Sequence, residues 1–132
     1  MSLEENLELV RRRFGEHPIL DEAEADLESI YAPDVVLHGP GEQFVGIEGI
    51  RRAAKATRAA FSDIEFRVNE IKTEEGDRVV TKIAGRSRHT GPFQGAQPTG
   101  KWVQVKGIVI SRLQDHKIVE EWRNMTWSTE EE

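Results

Sequence analysis

The sequence contains no cysteine, which removes disulfides, thiolate zinc sites and a cysteine nucleophile from consideration. It also lacks a long apolar run. Met1 to Arg13 carries Glu4, Glu5 and Glu8, the pattern of neither a secretion leader nor a membrane span. Cytoplasm is therefore the expected location by default, since a missing cysteine by itself indicates no compartment. Positive charge is in deficit: 18 Lys and Arg against 24 Asp and Glu give a formal net charge of −6. Nucleic-acid affinity rests on a positive field against phosphates, so this balance speaks against such a partner. Two basic clusters, Arg11-Arg12-Arg13 and Arg51, Arg52, Lys55 and Arg58, fall on expected helices and read as solvated faces. Phosphate cradles open a helix, whereas the glycines between Gly91 and Gly100 precede a strand. There is no nucleophile elbow for Ser-His-Asp chemistry.

What is present fits one domain spanning residues 1–132. The chain has 132 residues, 37% of them hydrophobic and 32% charged, enough to bury a core without staples. No repeat or composition break divides it. Leu3, Leu7, Val10 and Phe14 form a helical stripe that ends near Gly15 and Pro18. Asp21 and Glu24 resemble a capping box opening a short second helix, with Ala23, Leu27 and Ile30 inward and Pro33 as its stop. Asp34 to His38 is a short β-type run closed by Gly39-Pro40-Gly41. A third helix carries Ile47, Ile50, Ala54, Thr57 and Phe61 on one face and the basic residues on the other.

After Asp63 the period changes to two. Ile64, Phe66 and Val68 alternate with Glu65, Arg67 and Asn69, a half-buried strand. Glu75-Gly76-Asp77 reverses the chain into Arg78 to His89. Lys101 to Leu113 and Lys117 to Trp127 follow as two further strands joined at Gln114-Asp115-His116. Three N-terminal helices followed by four sequential antiparallel strands imply an α+β domain with helices on one sheet face. The opposite face is left for solvent or a second subunit.

Several segments in order carry a family resemblance. They are Gly46 to Ile50 before a helix ending Ala60-Phe61-Ser62-Asp63, the hairpin Glu75 to Val79, the loop His89 to Gly100, Gly107 to Arg112, and Lys117 to Trp122. From roughly Ile30 to Trp127 the chain resembles the SnoaL-like polyketide cyclases. The resemblance implies the nuclear transport factor 2-like cone, three helices packed on a curved, mostly antiparallel sheet. That fold is shared by ketosteroid isomerases, limonene epoxide hydrolases and non-enzymatic binding domains, so it assigns no function by itself. It further implies a cofactor-independent acid–base reaction, ring closure by aldol condensation, with an Asp four residues after the Trp of the last strand. Here Thr126 stands at that position, and a threonine hydroxyl is no carboxylate base near neutral pH.

The candidate site residues follow from this frame. His38, at the end of its strand, is the expected base, because a neutral imidazole accepts a proton near pH 7; the alternative is a strand-end histidine bonded to backbone. Trp122, Asn124 and Thr126 share one face with Ile118 and Glu120 by the two-residue period and are expected to line the pocket. His89, Trp102 and Arg112 are further pocket candidates. Which face of the strand from 101 to 113 points inward stays open between the set of Trp102, Ile108 and Arg112 and the set of Val103, Val105 and Val109. No spacing motif supports a metal site. The expected function is a cofactor-independent cyclase or isomerase acting on a small hydrophobic carbonyl compound. The alternatives are a binding protein that has lost the acid and, third, an epoxide-hydrolase-like enzyme built on Asp34, Arg88 and Arg112. A ketosteroid isomerase reading is weak because Tyr31 is the one tyrosine and that chemistry uses a tyrosine with a protonated aspartic acid. The expected partners are a small carbonyl ligand and a second copy through the uncovered sheet face, with neither nucleic acid nor membrane.

Overall fold

The computed structural model describes residues 3–11, 27–39, 41–74, 76–93 and 96–129. Helix α1 spans Leu3–Arg11 and buries Asn6, Leu9 and Val10 against strands β3 and β4 (Phe61–Glu74 and Arg78–His89). A single 3-10 turn, Leu27–Ser29, leads into β1, Tyr31–Gly39. Most of the expected second helix lies outside the described residues, and the described portion is this turn and no longer helix. Pro33 does not end a helix; it sits exposed inside β1, where the register with the neighbouring strand shifts between Tyr31 and Val36. A proline removes a ladder donor, so a strand tolerates it at such an irregularity.

Strand β2, Glu42–Val45, is a short edge strand that periodicity alone is too brief to reveal. It folds back on β1 with Leu37 opposite Phe44 and Gly39 opposite Glu42, through a turn in which Gly41 has φ 69°. Helix α2 then runs Gly46–Ala60, burying Gly49, Ile50, Ala53, Ala54 and Ala60. Its basic face is solvated as expected: Arg51 pairs with Glu28 and Glu48, and Arg52 lies over the Phe44 ring.

With β5 (Trp102–Gln114) and β6 (Lys117–Thr129) the strands form one six-stranded sheet in the order β2-β1-β6-β5-β4-β3. The four sequential antiparallel strands are all present; β1 and β2 extend them, β1 pairing parallel to β6. Asp115 and His116 both have positive φ, 51° and 63°, the backbone of a tight hairpin turn between β5 and β6. Register shifts in β3, in β1 and at the start of β6 bend the sheet. The helices cover one face, and the core between them gathers Val10, Ile30, Val35, Leu37, Ile50, Val79, Val109 and Ile118. Each such side chain contributes about 1.5–3 kcal/mol on burial.

Candidate functional site

The sheet registers sort every strand residue to one face. On β5, Val103, Val105, Val109 and Ser111 face the helices and are buried, while Ile108 is 40% exposed on the other side. That settles the face left open by the sequence. On β6 the helix-facing set is Glu121, Arg123, Met125 and Trp127, which stand opposite Ser111, Val109, Gly107 and Val105.

Between this face and α2 lies a cavity of about 280 Å³. Its walls are largely apolar: Leu37 and Phe44 at one side, Ala53 and Ala54 from α2, Phe66 and Met125 across the floor, and Phe93 and Trp127 at the far end. Two glycines make the floor possible. A Cβ at Gly107 would lie 2.1 Å from the Met125 sulfur, and one at Gly85 would lie 2.6 Å from the Phe66 ring. Without those side chains, Met125 and Phe66 lie across the neighbouring strand. Trp127 is held flat by stacking on Phe61 at 4.5 Å and 7°, with Phe93 set edge-on to Phe61. The end wall is thus a rigid aromatic surface.

Among the described residues, three polar side chains line the cavity: Glu42, Thr57 and Arg123. The Thr57 hydroxyl donates to the Ala53 carbonyl one helical turn back. Arg123, with 11% of its side chain exposed, donates from Nε to Glu121 Oε2 at 2.7 Å. Glu121 is fully buried, and its other oxygen accepts from the Tyr31 hydroxyl at 3.0 Å. Burial pulls the Arg123 guanidinium down, but the charge of Glu121 and the hydrogen bonds to Glu121 and Tyr31 outweigh it and hold it above its ordinary value. The cavity therefore has a permanent cation, oriented from behind by a buried carboxylate and a phenol. A fixed guanidinium is well suited to an oxygen that gains negative charge.

The residues expected from the sequence form a different group. His38 faces away from the helices: its ring stacks on Trp122 at 5.4 Å and its Nε2 lies 2.7 Å from Glu120 Oε2. Arg112 donates to the other oxygen of Glu120 from Nε and Nη2 at 3.3 and 3.1 Å. Asn124 and Thr126 are exposed on this same face, and Trp102 lies there beneath the Arg86 guanidinium at 3.9 Å. The structure thus brings His38, Trp122 and Arg112 together, yet on the sheet face opposite the cavity. His89 does face the helices and is buried, packed on Phe61, which separates it from Trp127. Its Nε2 has no hydrogen-bond partner among the described residues. None of these seven residues lines the cavity. Of those that do, Arg123, Met125 and Trp127 carried one sequence signal, since they alternate along β6 with the expected set, whereas Glu42 on the short strand β2 carried none. Among the described residues no three His, Asp or Glu side chains gather to hold a metal ion, and no helix is long and apolar enough to cross a membrane.

A curved sheet covered by helices on one face, with a mostly apolar cavity between them, is the architecture of the nuclear transport factor 2-like class. The family model for SnoaL-like polyketide cyclase matches residues 11–125. The chain belongs to that family. No curated protein matches it in sequence. Among solved structures it is similar to AclR, a proposed hydroxylase from Streptomyces galilaeus, at 26% identity and TM-score 0.70 over 95% of this chain and 77% of that one. It is also similar to IdmH, a proposed polyketide cyclase from Streptomyces antibioticus, at 26% identity and TM-score 0.64 over 95% and 92%. A proposed SnoaL-like polyketide cyclase from Jannaschia sp. CCS1 aligns at 25% identity and TM-score 0.73 over 92% and 85%. An epoxide hydrolase from M. tuberculosis, at 13% identity and TM-score 0.66, shares the fold alone.

Proposed function

We propose that the protein is a cofactor-independent cyclase or isomerase whose cavity takes a small, mostly apolar carbonyl compound. Arg123 carries this reading: among the described residues it is the one cation lining an otherwise largely apolar cavity, and its pairing with Glu121 fixes its direction. A carbonyl oxygen directed at that guanidinium gains a charge-assisted hydrogen bond that strengthens as an enolate forms. The aromatic end wall of Trp127 and Phe93 suits a flat ring on the remainder of the ligand.

Enolisation or aldol ring closure is the chemistry such a site accelerates, because both pass through an oxyanion. The test is α-hydrogen exchange of 2-tetralone in D2O, with 2-naphthol as a mimic of the bound enolate. The expected result is exchange by the wild-type protein, with both exchange and 2-naphthol affinity falling at least tenfold in Arg123→Lys, which keeps the charge and loses the planar fork. Retained exchange in that variant would end the proposal.

The second reading, a binding protein without turnover, is favoured by the scarcity of polar groups in the cavity, whose lining is mostly apolar among the described residues. It predicts 2-naphthol binding without exchange. As for assembly, a second copy is proposed to cover the far sheet face, away from the cavity, where Ile108 is 40% exposed next to Ile110, which pairs with Trp122 on the adjoining strand, an apolar cluster of the kind that marks interfaces.

A further inference from the structure

The cavity has an acid–base group as well as a cation, and the sheet register places the two on either side of a gap. Gly39 pairs with Glu42 on the β2 side. On the β6 side, Leu37 and His38 pair in parallel with Glu121 and Trp122, so the next step sets Gly39 beside Arg123. Glu42, Gly39 and Arg123 therefore form one row across three strands, and all three line the cavity. Two strand spacings put the backbones of the outer members of such a row ~10 Å apart. Between them Gly39 raises no side chain. The Glu42 and Arg123 side chains stand on the same sheet face and border the ligand space above Gly39 from either end.

The geometry points to Glu42 as the catalytic base for an enolisable ketone seated over Gly39. This rests on the reading of Arg123 given above and names the group that reading lacks. Thr57 has its proton committed to Ala53, and Arg123 is held cationic by Glu121 and Tyr31. Among the described residues, Glu42 is the one side chain lining the cavity that accepts a proton from carbon and returns it. In the step, a Glu42 carboxylate oxygen takes the α-proton and the C–H electron pair becomes the C=C bond of an enolate. The carbonyl π pair moves onto oxygen against the Arg123 guanidinium. The enolate carbon then attacks a second carbonyl of the same substrate, closing a ring as the first carbonyl re-forms, and the new alkoxide takes the proton back from Glu42. Where the enolate is conjugated with a C=C bond, Glu42 instead returns the proton to the far carbon of that system.

Ketones with the acidic C–H directly beside the carbonyl, on a flat ring system that reaches Met125 and Trp127, are the substrates this row selects. Gly39 is the specificity position. A Cβ there meets the Phe44 ring at 3.8 Å and the Glu42 backbone oxygen at 3.6 Å, ordinary contact, so Gly39→Ala folds while narrowing the gap.

The experiment measures α-hydrogen exchange of 2-tetralone in D2O by NMR and 2-naphthol binding by tryptophan fluorescence, on the full chain. Glu42→Gln is expected to slow exchange by roughly 10²–10⁴-fold and to leave 2-naphthol affinity within about threefold. Added acetate is expected to restore part of the exchange in Glu42→Ala and none in the wild type. Gly39→Ala is expected to weaken 2-naphthol binding at unchanged thermal stability. Exchange that persists in Glu42→Gln overturns the role of Glu42 and leaves the Arg123 reading standing. Wild-type protein that binds 2-naphthol and exchanges no α-hydrogen overturns both, in favour of a binding protein.

Discussion

Replacing Glu121 by Gln tests whether the cavity's cation is held by a buried ion pair. The carboxylate is fully buried and accepts from Tyr31 at 3.0 Å and from Arg123 Nε at 2.7 Å. Gln keeps the shape and removes the charge, leaving a guanidinium that is 11% exposed without its counter-ion. Breaking a buried pair from one side costs about 3–5 kcal/mol, because the surviving charge stays desolvated. An unfolding entropy of about 2.1 cal/mol/K per residue turns this into a fall in Tm of about 10–18 °C for a chain of this length. Tyr31→Phe removes one hydrogen bond to a charge and is expected to cost less, about 1.5–3 kcal/mol. The double replacement Glu121→Leu with Arg123→Met removes both charges and is expected to recover most of the loss, since apolar substitutes for a buried pair are often neutral. Urea unfolding followed by tryptophan fluorescence gives all three values at constant slope. A cost below about 1 kcal/mol for Glu121→Gln would refute the argument, because it would mean that Arg123 is solvated well enough not to need its partner.

The far sheet face gives a pH prediction. The hydrogen bond with His38, reinforced by Arg112, holds Glu120 below the ordinary carboxylate value of 4.5 against the opposing effect of burial. A lowered folded-state pKa stabilises above the unfolded value and loses that contribution as pH falls through the folded one. Wild-type stability is therefore expected to fall more steeply below pH 4.5 than that of Glu120→Gln; parallel curves in denaturant titrations at several pH values would contradict this. Ile108→Glu is expected to convert a dimer to a monomer by light scattering without loss of 2-tetralone exchange, and a wild-type monomer at micromolar concentration would remove the proposed interface. Thr81 is fully buried, and its hydroxyl has no partner among the described residues. Thr81→Val is expected to be neutral or to stabilise by up to about 1 kcal/mol, and a clear loss in urea unfolding would mean that the hydroxyl is bonded.

Much of the fold was legible because its elements are long. The 15 residues of α2 and the strands of 12 to 14 residues each give several turns of period to read. What escaped was short or depended on distant chain. Strand β2 has four residues, and Phe44 and Val45 carry no alternation beyond one step. The parallel pairing of β1 with β6 joins residues about 80 positions apart, and no local signal reports it. Pro33 reads as a helix stop in isolation; only the irregular register between Tyr31 and Val36 makes room for it inside a strand.

Along β6 the expected cavity-facing set and the observed one differ by a single residue. Ile118 is apolar and fully buried, and a strict period of two counted from it assigns Glu120, Trp122, Asn124 and Thr126 to the core side. In the sheet, Arg112 pairs with Glu120 and Leu113 with Ile118, so Val119 has no counterpart. An extra residue of this kind inverts every side chain that follows it. Ile118 therefore faces the helices, and beyond the bulge it is the odd-numbered residues that do: Glu121, Arg123, Met125 and Trp127. The inversion also accounts for Glu121 and Trp122. The Glu121 carboxylate is buried because Arg123 and Tyr31 are there to meet it, and a tryptophan expected to wall the pocket instead stacks on His38 outside it. The row of Glu42, Gly39 and Arg123 lies beyond any reading of one strand alone. It is made by a hairpin register on one side and a parallel register on the other, with a glycine between that leaves room for a ligand. Gly39 reads as turn punctuation in the sequence, but in the sheet it is the gap between a base and a cation.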